Sequence, residues 1–371
     1  MLPRVLILNE RDPHHPKAGG AETHVYEIFG RLAARGFEIT HWAAGFEGGE
    51  HQDWVSGVRV ERLGPLALYY PRVLRHTFRE TRRDRFDVVV ECLNKVPYYA
   101  PLISARPVLA LCHHLFGEVA FQQVSVPIAS AVWASERLIP SFYRGCEFLA
   151  ISESTARDLA KRGLDPHRIH VSHPGIDRPD EEPDVTTPRR RRVTYVGRLE
   201  AYKKIDILLR AMKKLESRWP DTEIFIVGRG PARSGLEDLA RQLGLNDRTH
   251  FTGFVTNAER DEILSSSRVC VCPSEKEGWG LTVIEANATG TPVVATDADG
   301  LRDSVRDGET GFLVGDEDVE GFARAIGRLL DDDALALRMS QAALDWSRTF
   351  DWERSADDMA EALERAQSTS R

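Results

Sequence analysis

The 371 residues are more than one hydrophobic core ordinarily serves, and 42% apolar with 29% charged residues is the balance of a globular chain rather than a disordered or fibrous one. The net charge of −8 is unevenly spread: residues 1–175 carry 21 Lys+Arg against 19 Asp+Glu, and residues 176–371 carry 28 against 38, so the halves are +2 and −10. This disfavours a uniformly basic nucleic-acid binder; no apolar run is long enough to span a bilayer, and MLPRVLILNE enters a strand pattern without a signal peptide's cleavage site, so a cytoplasmic location is expected.

In chain order, short runs of Val, Ile and Leu alternate with longer helix-like segments. The first runs are RVLILN (4–9), EITHWAA (38–44), VRVERL (58–63), DVVVECL (87–93), PVLALCHH (107–114) and EFLAIS (147–152). Apolar strands separated by helices predict a parallel sheet covered on both faces. The polar, proline-bearing stretch 178–192 reads as a linker, with Arg189 to Arg192 as its solvated end. A second series follows: RVTYVGR (192–198), EIFIVGRG (223–230), HFTGFV (250–255), RVCVCPS (268–274), PVVATDA (292–298) and GFLV (311–314). Because the pattern occurs twice, the expected fold class is α/β: two doubly wound, Rossmann-like domains, 1–177 and 178–351, facing a central cleft. The last stretch, about 352–371, is expected to pack back on the first domain. Ligands of such sheets bind beyond the carboxyl ends of the strands. The five cysteines have neither disulfide-framework nor CxxC spacing and are expected as reduced core residues.

One stretch, CVCPSEKEGWGLTVIEANATG (270–290), sets Glu277 and Glu285 on either side of a segment that begins Gly-Trp-Gly. It reads as a strand that stops, a loop whose bare backbone approaches a ligand, and a helix starting at about Leu281. The first N–H groups of a helix are unpaired and sit at its positive end, which makes such a start an anion site. Carboxylates beside a phosphate are placed to accept hydrogen bonds from hydroxyls, and the combination points to a sugar nucleotide.

With that stretch read as E-x(7)-E, the chain resembles the family 4 retaining glycosyltransferases (glycosyltransferase group 1) of GT-B architecture over nearly its whole length. The motifs AGGAETHV (18–25), HH (113–114), HPGID (173–177), YVGRLEAYKKIDILL (195–209), IVGRGP (226–231), FTGFV (251–255) and GLRDSVRDGETGFLV (300–314) follow in the expected order. The resemblance implies transfer of a hexosyl unit from a UDP- or GDP-sugar to a hydroxyl acceptor, without a metal or other cofactor. It also implies a front-face path in which the leaving phosphate helps deprotonate the acceptor.

Carried over position by position, Arg198 and Lys204 hold the donor diphosphate, Glu277 the hydroxyls of the donor sugar, and Glu285 the ribose. Gly278, Trp279, Gly280 and Leu281 bring backbone N–H groups to sugar and phosphate. Gly253 and Phe254 lie in the segment whose backbone meets the base. Gly19 and Gly20 face the diphosphate from the first domain, and His113 lies near the reacting sugar with His114 as its structural neighbour. Taken without the motif, Arg198 is a surface strand end and Lys204 an exposed helix residue beside Lys203. Glu275 reads as solvated, and a surface salt bridge for Glu285 has little support among its small or apolar neighbours. The dinucleotide fingerprint GxGxxG is absent after the first strand, which disfavours an NAD(P) oxidoreductase.

Residues 66–85, LALYYPRVLRHTFRETRRDR, place Leu74 and Phe78 at helical spacing among six arginines. The segment is either a solvated helix with an apolar core stripe or a basic amphipathic surface. In the second case Arg75, Arg79, Arg82 and Arg83 meet anionic lipid or a lipid-linked acceptor, and the protein is peripheral to the inner face of a membrane, in glycolipid or cell-surface polysaccharide synthesis. The alternatives are a soluble small-molecule acceptor and a non-catalytic nucleotide-sugar-binding subunit.

Overall fold

The structure, a computed structural model, describes residues 2–93, 96–115, 117, 121, 125–179 and 181–369. Chain order runs β1 Arg4–Leu8, α1 Gly20–Ala34, β2 Glu38–Gly45, β3 Gln52–Val55, β4 Val58–Pro65, α2 Leu66–Glu80, β5 Val88–Leu93, α3 Ala100–Ile103 and β6 Val108–Cys112. Next come α4 Val126–Arg137, α5 Ile139–Phe142, β7 Glu147–Ala150, α6 Glu153–Lys161 and β8 Ile169–Val171. The second series is β9 Arg192–Val196, α7 Ile205–Leu215, β10 Glu223–Val227, α8 Arg233–Gln242, β11 Thr249–Gly253, α9 Asn257–Ser265 and β12 Val269–Cys272. It continues with α10 Leu281–Ala288, β13 Val293–Thr296, α11 Leu301–Ser304, β14 Gly311–Val314, α12 Val319–Asp331 and α13 Asp333–Ser347, and α14 Trp352–Thr369 follows. The chain divides into two compact units, Met1–Gly175 with Asp351–Arg371, and Ile176–Phe350.

The first unit holds an eight-stranded sheet in the order β3-β4-β2-β1-β5-β6-β7-β8. Val5, Leu6, Ile7 and Leu8 of the central strand β1 are all fully buried, as a strand covered by helices on both faces requires. Only β3 runs antiparallel, against β4. Its sequence QDWV is polar with Trp54 exposed, so it carries no apolar run; the three-residue β8 is only half-buried, and the apolar pattern reveals neither strand. Helix α14 lies against α1, where Arg35 donates to Asp357 (2.6 Å) and Glu353 (2.6 Å), and Ser172 donates to Asp358 (2.8 Å).

The second unit holds a fully parallel six-stranded sheet in the order β11-β10-β9-β12-β13-β14. Of the four arginines expected as a solvated end, Arg190 and Arg191 are exposed, but Arg189 and Arg192 are engaged. Arg189 donates to the Thr289 carbonyl (2.6 Å) and the Thr291 hydroxyl (2.6 Å), and Arg192 to Ser266 (2.6 Å) and Glu223 (3.0 Å). Thr289 caps the C-terminus of α10, where the last carbonyls lack partners within the helix, so a cation there satisfies them. All five cysteines are free and buried.

Candidate active site

In the second unit the chain leaves β12 and reaches α10 through Glu277, Gly278, Trp279 and Gly280. The helix begins at Leu281, behind Gly280 at φ +87°, a left-handed conformation that glycine adopts without the Cβ penalty. The Trp279 side chain does not face outward: it is 2% exposed and packs edge-on against Phe350, with ring centroids 5.2 Å apart. Its indole therefore anchors the loop, and the part left to a ligand is backbone. Glu277 is tied from behind by its N–H, which donates to the Asp299 carbonyl (3.2 Å).

The carboxylate of Glu277 accepts a hydrogen bond from Lys203 Nζ, with the two side chains 17% and 13% exposed. Burial is the largest influence on the Lys203 pKa and works to lower it, but the Glu277 charge, the neighbouring Tyr202 and Cys272 and the hydrogen bond to Glu277 together outweigh it, and the net direction is up. Lys204 goes elsewhere in the ligand-free chain. It caps α7 in the left-handed conformation (φ +46°), and its ammonium meets Glu317 (3.0 Å), Asp316 (3.2 Å) and Glu275 (3.7 Å). The physical reason is the reversal of backbone hand between residues 203 and 204, which aims the two lysines apart. Glu275 is correspondingly half-buried and engaged, its N–H donating to the Tyr202 carbonyl (3.0 Å). Arg198, on the same turn after β9, is exposed and held by Tyr202, whose hydroxyl accepts from Nη2 (3.1 Å).

Glu285 lies one turn into α10 and accepts from Arg260 Nη1 of α9 (2.6 Å). This is the salt bridge that the apolar neighbours of Glu285 argued against; it forms between helices, where spacing along one helix gives no sign of it. Burial pushes the Glu285 carboxyl up from the ordinary carboxylate range, with Arg260 opposing. At the neighbouring strand ends Gly253 closes β11 and Phe254 stands 71% exposed, 5.5 Å from the Arg229 guanidinium. A Cβ at Gly228 would strike the Gly197 carbonyl, so β9 and β10 leave the sheet as closely apposed bare backbone.

In the first unit, Gly20 opens α1 as expected, but the Gly19 N–H is already taken by the Glu22 carboxylate (2.7 Å) in a capping box. A side-chain carboxylate thus sits where a phosphate oxygen was expected. His113 follows β6, yet it is 3% exposed rather than presented at an open strand end. Its Nε2 is 3.1 Å from Nδ1 of the equally buried His24, with the rings perpendicular, because α1 covers the end of the sheet.

On α2 the buried stripe is Tyr69, Val73 and Thr77, leaving Phe78 49% exposed and Leu74 half-buried. Arg82 lies over the Phe78 ring (3.7 Å) and donates to the Phe78 and Ile103 carbonyls, and Arg83 pairs with Glu80 (3.2 Å). Among the described residues Arg75 and Arg79 have no carboxylate partner. Lys203, Arg260 and His24 are the site residues that sequence reasoning missed. Lys203 was visible as the neighbour of Lys204, and His24 lies inside AGGAETHV, but Arg260 carries no sequence signal at all. Among the described residues no three His, Cys, Asp or Glu side chains gather as a metal ion would need, and no helix is long and apolar enough to cross a membrane.

Two units, each a Rossmann-like sheet, with a glycine-flanked helix start and paired carboxylates beyond the strand ends, define the two-domain GT-B class of glycosyltransferases. The chain matches the models for glycosyl transferases group 1 over residues 177–346 and glycosyltransferase family 4 over residues 18–180. It belongs to that family and is a glycosyltransferase. The D-inositol 3-phosphate glycosyltransferase of Nocardioides sp. is 35% identical over 401 aligned positions, covering 94% of this chain and 86% of the relative. Its counterpart in Rhodococcus opacus is 31% identical, covering 90% and 78%, and that of Mycobacterium marinum is 37% identical over 219 residues, 54% of this chain and 46% of the relative. Among solved structures, sucrose-phosphate synthase from Thermosynechococcus elongatus aligns with TM-score 0.79 at 22% identity, over 99% of this chain and 100% of the other. The Anabaena protein HepE in complex with UDP-glucose aligns with TM-score 0.74 at 20% identity, over 98% and 100%.

Proposed function

We propose that this chain moves a hexosyl unit from a UDP- or GDP-sugar to a hydroxyl acceptor with retention of configuration. The observation that carries the reading is the Lys203–Glu277 pair at the head of the glycine turn into α10, with Glu285 one turn further on. In this reading Glu277 accepts from hydroxyls of the donor sugar and Glu285 from the ribose. Lys203 replaces Lys204 beside Arg198 in holding the diphosphate, and the two cations stabilise the charge that develops as it leaves. Backbone N–H groups at the start of α10 add to that stabilisation. The protein orients both substrates, the leaving phosphate takes the acceptor proton, and neither a protein nucleophile nor a metal ion has a role. The Anabaena structure solved with UDP-glucose supports a nucleotide-sugar donor for this fold.

The test is release of free nucleoside diphosphate from a panel of UDP-, GDP- and ADP-sugars, with and without EDTA. One uridine or guanosine donor should turn over equally in both conditions. No release from any donor sinks the reading, and activity lost to EDTA and restored by Mn²⁺ or Mg²⁺ sinks its metal-independent part.

For the acceptor, relatives named for D-inositol 3-phosphate support a small phosphorylated polyol. A lipid-linked acceptor on an anionic membrane is the second reading, favoured by exposed Leu66, Leu68 and Phe78 beside Arg75 and Arg79 on α2, which have no carboxylate partner among the described residues. Replacing Arg75, Arg79, Arg82 and Arg83 by Gln should then abolish co-sedimentation with anionic vesicles; a wild type that ignores such vesicles at low salt removes this second reading.

A further inference from the structure

Within the first unit, a cavity of about 440 Å³ is lined by Trp133, Arg137 and Pro140 from the α4–α5 segment and by Asp158, Lys161 and Arg162 at the end of α6, with Gly117 on its wall. The carboxylate in its wall, Asp158, and the one behind it, Glu136, are already committed. Asp158 accepts from Arg162 Nε (3.2 Å), and the fully buried Glu136 lies 3.6 Å from Arg162 Nη1 and accepts from the Gly117 N–H (2.9 Å). The other two cations are not. Among the described residues Arg137 and Lys161 have no carboxylate partner, and the Arg137 guanidinium lies over the Trp133 ring, 3.7 Å from its centroid.

Stacking on an indole fixes the plane of a guanidinium while leaving its N–H edge free to donate, so Arg137 is held ready for an anion. Lys161 reaches the cavity from a different helix, and the convergence is therefore a product of the fold rather than of a run of basic residues. Beside the cations, the rest of the Trp133 face and Pro140 offer an apolar wall. Two cations against one apolar wall suit a phosphate ester: the charged end takes the guanidinium and ammonium, and the carbon body lies on the ring.

The cavity also stands near His113, which the family resemblance puts beside the reacting sugar. At the start of α6 the Thr155 hydroxyl donates to the His113 carbonyl (3.3 Å), and Lys161, six residues on, lies roughly 9 Å further along the helix.

We propose that this cavity is a phosphate-ester binding site, with Arg137 and Lys161 holding the phosphate and Trp133 the carbon body. The ester is carried either by a free small molecule or by the headgroup of an anionic lipid; Val126, 65% exposed and seven residues before Trp133 on the same stripe of α4, extends the apolar wall in the lipid case. The site belongs to the first unit alone, so its test needs no donor turnover.

Titration calorimetry of the full chain at low ionic strength should give saturable binding of glycerol 3-phosphate, with glycerol silent, or else the chain should co-sediment with phosphatidylglycerol vesicles and not with phosphatidylcholine ones. Calorimetric binding alone identifies a free ester, and vesicle binding identifies a headgroup. In either case Arg137→Gln with Lys161→Gln should weaken binding at least about tenfold, and Trp133→Leu should weaken glycerol 3-phosphate more than inorganic phosphate. The altered cations are exposed and make no structural bonds, so the folded state should survive, with Tm as the check. Absence of both kinds of binding in the wild type overturns the proposal, as does binding that survives in the Arg137→Gln, Lys161→Gln variant.

Discussion

Lys203 Nζ donates to the Glu277 carboxylate across 74 residues of sequence, tying the turn after β9 to the loop before α10. Both ends are mostly shielded, so each carries a larger share of the other's charge than a surface pair would. The adjacent ammonium of Lys204 is spent on Asp316 and Glu317. Lys203→Met should therefore lower kcat/KM for nucleotide release by roughly 10- to 150-fold, the equivalent of losing a charged hydrogen bond of about 1.5–3 kcal/mol. Lys204→Met should change it by only a few-fold. Steady-state kinetics of the two variants with one donor decides between them, and the reverse order would return the diphosphate to Lys204.

The strands that hold these residues were legible because the buried parallel strands are short apolar runs, as in Val5 to Leu8 and Val269 to Cys272. The helix start at Leu281 was legible for a local reason as well, since Gly280 stands where a left-handed residue ends the loop. Side-chain partners were not. Arg260 reaches Glu285 from another helix, His24 reaches His113 over 89 residues, and the hand of the backbone at Lys204, which no periodicity encodes, decides which lysine meets Glu277. The place of the Trp279 indole was not legible either: its contact with Phe350, 71 residues on, makes it an anchor of the loop.

Glu285→Gln should weaken binding of the free nucleoside diphosphate by roughly 10- to 150-fold through loss of a charged acceptor, whereas Glu277→Gln should act mainly on turnover. Arg260 offers a subtler check. Burial pushes the Glu285 carboxyl up and Arg260 opposes that shift, so the ionised form that accepts hydroxyls is lost as pH falls through a raised pKa. Arg260→Met should move that loss to still higher pH, and Arg260→Lys should move it back. Calorimetry with UDP and GDP between pH 5 and 8 measures both effects; a pH profile unchanged by Arg260→Met would detach Arg260 from the site.

Trp279→Ala should destabilise the second unit by roughly 3–5 kcal/mol, the ordinary cost of emptying a large buried aromatic site. Trp279→Phe keeps an edge-on partner for Phe350 and should lose much less. Urea unfolding followed by far-UV circular dichroism gives both values. Since the anchor also fixes Gly278 and Gly280, donor affinity of the folded Ala variant should fall as well; full affinity would mean that the loop holds its shape without the indole.

The His24–His113 pair should make the first unit acid-sensitive. Burial pushes both imidazoles down, His113 to about 3, so the folded pair stays neutral in a range where the unfolded chain takes up protons. The sign follows from that difference. Between about pH 6.5 and 3 the unfolded state binds more protons than the folded one, so stability is fully present above the unfolded pKa and falls as pH falls, by roughly 1.4 kcal/mol per pH unit for each histidine. His24→Phe removes one of the two titrating rings and keeps an aromatic ring 6.0 Å from Trp352. At pH 7.5 it should cost roughly 1–3 kcal/mol, because the buried His113 Nε2 loses its partner. As pH drops from 6.5 toward 5 the gap between wild type and variant should narrow, since only the wild type still pays for keeping His24 neutral. Urea unfolding at pH 7.5, 6.0 and 5.0 measures that gap, and a constant difference across the three would show that His24 does not remain uncharged in the folded state.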